Sequence, residues 1–171
     1  LVHLLTEKAA QGVEVRLIFD SAGCFGTRLK YFASLMEAGG QVYQFHPPTF
    51  RLIGLNYNYR NHRKIVVIDG RIGYLGGMNI GNEYMSLDPK FSPWRDAHLR
   101  LVGDAVWELQ HRFLKDYYMV CDHQEDERYI KDHLNHYFAS PLSTTLCPMQ
   151  IVSDGPDTTT DDIKLTFVKM I

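Results

Sequence analysis

One short stretch of the sequence, residues 62–79, brings together side chains that could do chemistry on a phosphate ester. Its informative positions stand at fixed spacings: His62, Lys64, Asp69, Gly76, Gly77 and Asn79. A neutral imidazole such as that of His62 can attack phosphorus and so split one displacement into two easier steps. The ammonium of Lys64 and the amide of Asn79 can donate to the phosphate oxygens and stabilise the charge of the transition state. The pattern therefore predicts phosphodiester transfer in which cationic side chains do the charge work, with no metal and no cofactor.

The elements that hold these side chains can be predicted from the residues between them. Residues 62–68 form a largely β-branched run that is apolar over 65–68, and the Asp-Gly pair that follows is a tight-turn signal before a second apolar run, 71–76. Residues i and i+2 of a strand share a face, so His62 and Lys64 are expected to point the same way from the start of a central, buried strand. The alternative is a buried strand with an incidental His and Lys, which the cost of burying an unused lysine disfavours.

The turn and the glycines have roles of their own. Asp69 stands next to Gly70, and this position favours a turn-forming role for Asp69 over a catalytic one. Gly76 and Gly77 lack Cβ, so the backbone can turn sharply there and bring Asn79 close to the strand. Gly77 and Asn79 are therefore assigned to phosphate binding, together with the motif lysine.

The rest of the sequence alternates predicted helices and strands, which places the chain in the α/β class. Helices are predicted over 1–10, 28–38 (capped by Thr27), 104–120, 123–138 and 161–171, and strands over 13–19, 41–45, 95–102 and the first part of 149–157.

Some positions outside the motif have two interpretations. Asp20 follows a predicted strand at its carboxyl end, where it lines the site or simply caps a loop, with equal weight. Asp96 and His98 could form a polar pair, and a structural role is favoured. The irregular segment 46–60 is either a lipid-facing loop or a loop packed on the core.

Three segments together resemble the bacterial cardiolipin synthases, a family of transferases within the phospholipase D superfamily. They are NYRNHRKIVVIDGRIGYLGGMNIGNEY (58–84), DPKFSPWRDAHLRLVGDAVWELQ (88–110) and MQIVSDGPD (149–157), whereas 111–147 match less clearly. The resemblance implies a phospholipase D-like α/β/α sandwich, with a mixed sheet flanked by helices, as one half of a pseudo-twofold enzyme. In that family each half carries one His-Lys motif, and the active site lies between the halves.

The same resemblance implies a function. Family members join two phosphatidylglycerols into cardiolipin and release glycerol through a phosphohistidine, with one motif histidine as nucleophile and the other as general acid. Carried over to this sequence, His62 is the candidate nucleophile, and Asp69 is a supporting catalytic residue. Lys64 and Asn79 bind phosphate. The implied partners are phosphatidylglycerol, the membrane surface and a second phospholipase D-like half of the same chain, at the bacterial cell membrane.

The sequence departs from the family pattern at two points. It has no second His-x-Lys motif, and it has no apolar run long enough for a membrane helix, whereas family members carry N-terminal membrane helices. We therefore expect residues 1–147 to be a first half shortened at its N-terminus and 148–171 to be the beginning of a second half. A chain with one motif is expected to be nearly inactive by itself, unless a homodimer brings two His62 side chains together.

Composition and charge bear on the alternative functions. The chain has 171 residues and a formal net charge of −2, which gives no strong attraction to nucleic acid. A dimeric phospholipase D-type phosphodiesterase or nuclease is the alternative enzyme, and an inactive lipid-binding module is the alternative outside the enzymes. The three cysteines are widely spaced, and His133 and His136 have no evident third partner, so neither a disulfide framework nor a zinc site is predicted.

Overall fold

The computed structural model describes residues 1–45, 60–121, 130–139, 147–155 and 159–171. These residues belong to two units, Leu1–His62 with Tyr117–Asp122 and Arg63–Asp116 with His123–Ile171. Helices and strands both occur, so the predicted α/β class is confirmed. Apart from Arg60, the segment predicted as a lipid-facing or core-packed loop lies outside the described residues, and so does the first part of the helix predicted over 123–138.

The first unit contains a parallel pair of strands and two helical segments. Its elements are α1 (Val2–Ala10), β1 (Arg16–Asp20), a 3-10 turn (Leu29–Phe32) that runs into α2 (Ala33–Glu37), and β2 (Gln41–Phe45). In the parallel register, Arg16 lies opposite Gln41 and Asp20 opposite Phe45. Parallel strands need a crossover connection, and the helical segment between the two strands lies in that connection.

A small apolar core holds these elements together. Its buried members are Ala9, Val15, Phe19, Phe32, Leu35 and Val42. Tyr117, which is fully buried, belongs to the same unit. Its hydroxyl donates to Gln41 Oε1 at 2.8 Å and accepts from Arg16 Nη1 at 2.6 Å. The residues of β1 and β2 that begin the parallel register are thus tied to one aromatic side chain.

The structure corrects the predictions for this unit in detail. The first strand begins later than predicted, at Arg16. The helix predicted to start with a Thr27 cap begins instead as a 3-10 turn whose N-cap residue is Arg28, with no side-chain capping hydrogen bond. Leu29 and Met36, predicted on the inner face, are 41% and 39% exposed. The 3-10 turn has three residues per turn, so an α-helical period assigns the wrong face to residues across it.

The second unit contains a three-stranded antiparallel sheet. Its elements are β3 (Ile65–Ile68), β4 (Ile72–Gly76), β5 (His98–Val102), α3 (Ala105–Tyr118, whose last two residues belong to the first unit), α4 (Leu134–Tyr137) and α5 (Asp162–Met170). The strand order is β3-β4-β5. Between β3 and β4, Asp69 and Gly70 have φ of 53° and 62°, and Arg71 N–H donates to the Ile68 carbonyl at 3.0 Å. Positive φ at both central residues is what a type I′ turn requires, so the predicted hairpin is confirmed.

The core of the second unit lies between this sheet and α3. Leu101, Val106 and Leu109 are buried there, and side chains from β3 and β4 pack against them. Gly73 of β4 allows the close approach of the helix, because a Cβ at this position would lie 2.7 Å from Leu109 Cδ1. Glycine in the strand interior therefore marks the point where α3 crosses the sheet.

The position of β3 differs from the prediction of a central, buried strand. In the described sheet β3 lies at the edge, and Val66 and Ile68 are 52% and 45% exposed. The strand also begins at Ile65, so His62 and Lys64 precede it rather than share its face. No helix in the described ranges is long and apolar enough to cross a membrane.

Candidate active site

His62 lies in an irregular segment, residues 60–64, that precedes β3, and its side chain is exposed. On its N-terminal side the chain is held by Asp20, at the carboxyl end of β1. The Asn61 backbone N–H donates to Asp20 Oδ2 at 3.1 Å, and the Arg60 guanidinium lies 3.5 Å from Asp20 Oδ1. Asp20 therefore contacts the residue next to His62, in addition to the loop that it was predicted to cap.

The residue on the C-terminal side of His62 is held in a different way. Arg63 pairs with Asp116 of α3, with Nη1 3.3 Å from Oδ2. Its Nη2 also donates to the backbone carbonyl of Asp154. Arg112, one helical turn before Asp116, pairs with the other oxygen of the same carboxylate. Asp116 and Arg112 are buried, at 3% and 6% exposure, so each charge has a partner where water cannot screen it.

Lys64 is half-buried, and this position changes its acid–base behaviour. Burial lowers the pKa of the Lys64 ammonium below its ordinary value, and the negative charge of Asp96 acts against that shift. Desolvation disfavours the charged form of an amine, whereas a nearby carboxylate favours it. Asp96, predicted to be structural, is thus an electrostatic partner of the motif lysine.

The hairpin register brings the two ends of the motif together. Ile65 faces Leu75 and Ile68 faces Ile72, so Lys64, just before β3, lies at the same end of the hairpin as Gly76 at the end of β4. Asp69 lies in the turn at the other end, roughly 16 Å along the strand from Lys64 at about 3.3 Å per residue. The geometry therefore separates Asp69 from the motif lysine.

The glycine pair is explained by close packing against the segment that leads into β5. Gly77 N–H donates to the Ala97 carbonyl at 3.0 Å, and a Cβ at Gly77 would overlap the carboxylate of Asp96. A Cβ at Gly76 would overlap the Ala97 carbonyl and His98. Any side chain at either position would push Asp96 and Ala97 away from the hairpin.

Asn79 begins a short chain of contacts that leads back to Asp96. Its Nδ2 donates to Tyr84 Oη at 2.6 Å. The ring centroids of Tyr84 and Trp94 are 4.7 Å apart, and Trp94 Nε1 lies 3.4 Å from Asp96 Oδ2. Asp96 also acts on the charge of Lys64. Lys64 and Asn79, the two side chains predicted to bind phosphate, are therefore linked through the same set of neighbouring residues.

Some polar groups near the site differ from expectation. The predicted Asp96–His98 pair is not the arrangement found: Asp96 Oδ1 accepts from Ala97 N–H at 2.8 Å, and within the described residues His98 Nδ1 is buried without a hydrogen-bond partner. The ring centroids of His133 and His136 lie 5.6 Å apart. In the ranges that the structure describes, no group of three or more His, Cys, Asp and Glu residues could hold a metal ion.

Comparison with known proteins decides the family. Residues 1–89 match the family described as cardiolipin synthase, PLD-like domain. The chain belongs to this family. The resemblance predicted from the sequence is confirmed.

Individual relatives extend this similarity along the chain. Over 98% of its length the chain is 46% identical to the major cardiolipin synthase of Bacillus subtilis (strain 168). Over its whole length it is 43% identical to the cardiolipin synthase of Staphylococcus aureus (strain Mu50) and 40% identical to that of Listeria monocytogenes serotype 4a (strain HCC23). It covers 34% of each, so the chain spans about a third of the length of these relatives. No solved structure matches the chain.

For this member of the cardiolipin synthase PLD-like family, sequence reasoning missed several contacts around the motif. The importance of Asp96 had one local signal, its place in the WRDAH segment that contributed to the resemblance. Tyr84 had a similar signal at the end of the first resembling segment. The pairing of Arg63 with Asp116 had none, because no local pattern links residues 53 positions apart.

Proposed function

We propose that the full-length protein is a phosphatidyltransferase that condenses two phosphatidylglycerol molecules into cardiolipin and releases glycerol. The observation that carries this proposal is the open end of the β3–β4 hairpin, where a half-buried lysine beside a carboxylate, a glycine pair and an oriented amide come together. The motif histidine stands two residues before that lysine. Relatives that are named cardiolipin synthases and are 40–46% identical over this chain support the same reaction.

The first step is a displacement at phosphorus by the His62 imidazole. A P–N bond forms, the bond from phosphorus to the glycerol oxygen breaks, and that oxygen takes a proton from a general acid as glycerol leaves. In the second step a free hydroxyl of another phosphatidylglycerol attacks phosphorus, the P–N bond breaks, and the hydroxyl proton passes to the general acid's conjugate base. One glycerol is released for each cardiolipin formed.

Lys64 and Asn79 stabilise the phosphate during both steps. The partly desolvated Lys64 ammonium has less water to displace than a fully exposed one and can neutralise a non-bridging oxygen. A carboxamide nitrogen carries two N–H groups. In Asn79 one of them donates to Tyr84, which orients the amide so that the second can donate to the phosphate.

The proposal also names partners that go beyond this chain. The sequence contains one His-x-Lys motif, whereas the two-step reaction needs a second group to protonate the leaving oxygen. We assign that role to the histidine of a second phospholipase D-like half, with residues 148–171 as the start of that half. Because both substrates are phospholipids, the reaction takes place at the surface of the cell membrane.

The test uses the full-length protein with labelled phosphatidylglycerol in vesicles. His62→Ala should abolish formation of cardiolipin and glycerol, because the covalent route is lost. His111→Ala, an exposed histidine on α3, is the matched control and should retain wild-type turnover. Digestion of protein quenched during turnover should give a labelled peptide that contains His62.

Two outcomes would contradict the proposal. One is near wild-type lipid transfer by the His62→Ala variant. The other is cleavage of single-stranded DNA by the wild-type protein, lost in His62→Ala, without any lipid transfer. The second result would instead identify the protein as a nuclease of the same superfamily.

A further inference from the structure

Two largely covered carboxylates, Asp20 and Asp116, hold the residues on either side of His62. Asp20 of the first unit contacts Arg60 and Asn61, and Asp116 of the second unit pairs with Arg63. The side chains of the two carboxylates are 11% and 4% exposed. Neither carboxylate belongs to the His-x-Lys pattern.

The contact made by Asp20 acts directly on the backbone. Its Oδ1 accepts from the N–H groups of Ala22 and Gly23 at 2.9 Å and 2.8 Å, which fixes the carboxylate at the end of β1. Its Oδ2 is then directed at the Asn61 N–H, 3.1 Å away. The peptide group between Arg60 and Asn61, one residue before His62, is therefore tied to a rigid strand end through a charged acceptor, which makes a stronger hydrogen bond than a neutral one.

Asp116 contacts the residue after His62 through the Arg63 side chain, which is held at two points. One nitrogen of the Arg63 guanidinium faces Asp116, and the other donates to the Asp154 carbonyl. The planar guanidinium fixes the direction of both interactions, which a lysine at the same position could not reproduce. Arg112 holds the carboxylate of Asp116 from the same helix, so the partner of Arg63 is itself fixed.

We propose that Asp20 and Asp116 are positioning residues that set the backbone of His62 for attack on phosphorus. The inference depends on the proposed role of His62 as nucleophile. Residues 60–64 belong to no helix or strand, and the two carboxylates contact this segment on both sides of His62. A misplacement of a reacting group by about 1 Å can cost about 100-fold in rate, so loss of either contact acts on kcat.

The decisive variant is Asp20→Asn in the full-length protein. An asparagine can still cap Ala22 and Gly23 with its one carbonyl oxygen, but its nitrogen then faces the Asn61 N–H and cannot accept from it. A role confined to the loop is therefore preserved by Asp20→Asn, whereas a role in positioning His62 is lost. Turnover with phosphatidylglycerol should fall about 10- to 100-fold in kcat, with KM within about threefold of wild type.

The second variant is Arg63→Lys, which keeps the charge and loses the two-point contact. A fall in kcat of about 10-fold with KM nearly unchanged is expected. It also tests the inference if Asp20→Asn fails to fold, which the thermal midpoint reports. Asp88→Asn and Arg100→Lys are the matched controls. Asp88 likewise accepts a backbone N–H in its own loop, from Lys90 at 2.9 Å, and Arg100 lies exposed on β5.

His62→Ala in the same assay separates the two levels of failure. If His62→Ala is inactive while folded Asp20→Asn and Arg63→Lys both keep kcat within about twofold of the controls, the positioning role is wrong and the proposed function stands. If only one of the two variants loses kcat, the role of the other carboxylate is overturned. If His62→Ala itself retains turnover, the proposed nucleophile fails and the positioning role fails with it.

Discussion

At the scale of single residues, the motif lysine shows how the site combines opposing effects. Burial disfavours the charged form of Lys64 and lowers the pKa of its ammonium. The negative charge of Asp96 favours the charged form and raises the pKa, which offsets part of the effect of burial. A partly desolvated cation is a strong partner for a phosphate oxygen. The carboxylate of Asp96 also packs against Gly77, so a side chain at position 77 would displace the charge that acts on Lys64.

This balance predicts how activity depends on pH. In the proposed mechanism transfer uses the cationic form of Lys64, so kcat/KM should fall on the alkaline side as that amine loses its proton. Asp96→Asn removes the charge that raises the Lys64 pKa; the pKa then falls, and the alkaline limb moves to lower pH. A pH profile of lipid transfer measures the shift, with Asp88→Asn as the control. An unchanged limb, or one at higher pH, would show that Asp96 does not act on Lys64.

Asp69 can be tested against the turn that contains it. Its φ of 53° is a conformation that asparagine tolerates and β-branched residues do not. Asp69→Asn should therefore keep transfer activity within about threefold, whereas Asp69→Val should lower the free energy of unfolding by about 1–2 kcal/mol. Activity assays and urea denaturation of both variants provide the measurement. Loss of transfer in a stable Asp69→Asn protein would restore the catalytic role that the family resemblance implies.

At the scale of elements, the features that could be predicted are those that neighbouring residues determine, such as turns. The Asp-Gly pair predicted the hairpin because few residues tolerate positive φ at both central turn positions. Burial was harder to predict. The apolar run of β3 indicated a strand covered on both faces, yet Val66 is 52% exposed, because strand order depends on pairing rather than on composition.

The contacts around His62 show why part of the site could not be predicted. The motif itself is local, so its residues and their chemistry could be predicted from spacing. The Asn61–Asp20 contact joins residues 41 positions apart, and the Arg63–Asp116 contact joins residues 53 apart. Neither separation corresponds to a helical or strand period, so only the folded chain shows which carboxylates contact the residues beside His62.

The strand β5 offers a matched test of the core of the second unit. Leu101 is 6% exposed and packs with Val106 and Leu109, whereas Leu99, two residues earlier, is 56% exposed. Leu101→Ala should lower the free energy of unfolding by about 2–5 kcal/mol, and Leu99→Ala by less than about 1 kcal/mol. Chemical denaturation of the two variants measures the difference. Equal losses would mean that Leu99 is also covered and that this face of the sheet packs against another part of the protein.

At the scale of the whole molecule, one number relates the chain to its relatives. The chain covers 34% of the cardiolipin synthases that it matches, and its sequence holds one His-x-Lys motif. The proposed reaction uses one imidazole to attack and a second acid to protonate the leaving glycerol oxygen. The proposed organisation, with a first half over 1–147 and the beginning of a second over 148–171, therefore has a direct consequence for the activity of this chain.

We expect the 171-residue chain by itself to be nearly inactive as a monomer. A positioned general acid contributes about 10²–10⁴-fold, and the phosphate donors of a second half would be lost as well. If two copies associate, their His62 side chains could take the two roles, and activity would then rise with protein concentration. Chromatography with in-line mass measurement, combined with the phosphatidylglycerol assay, relates turnover to oligomeric state. A strictly monomeric chain that turns over at the rate of the full-length protein would show that one motif is sufficient, and the two-half mechanism would have to be abandoned.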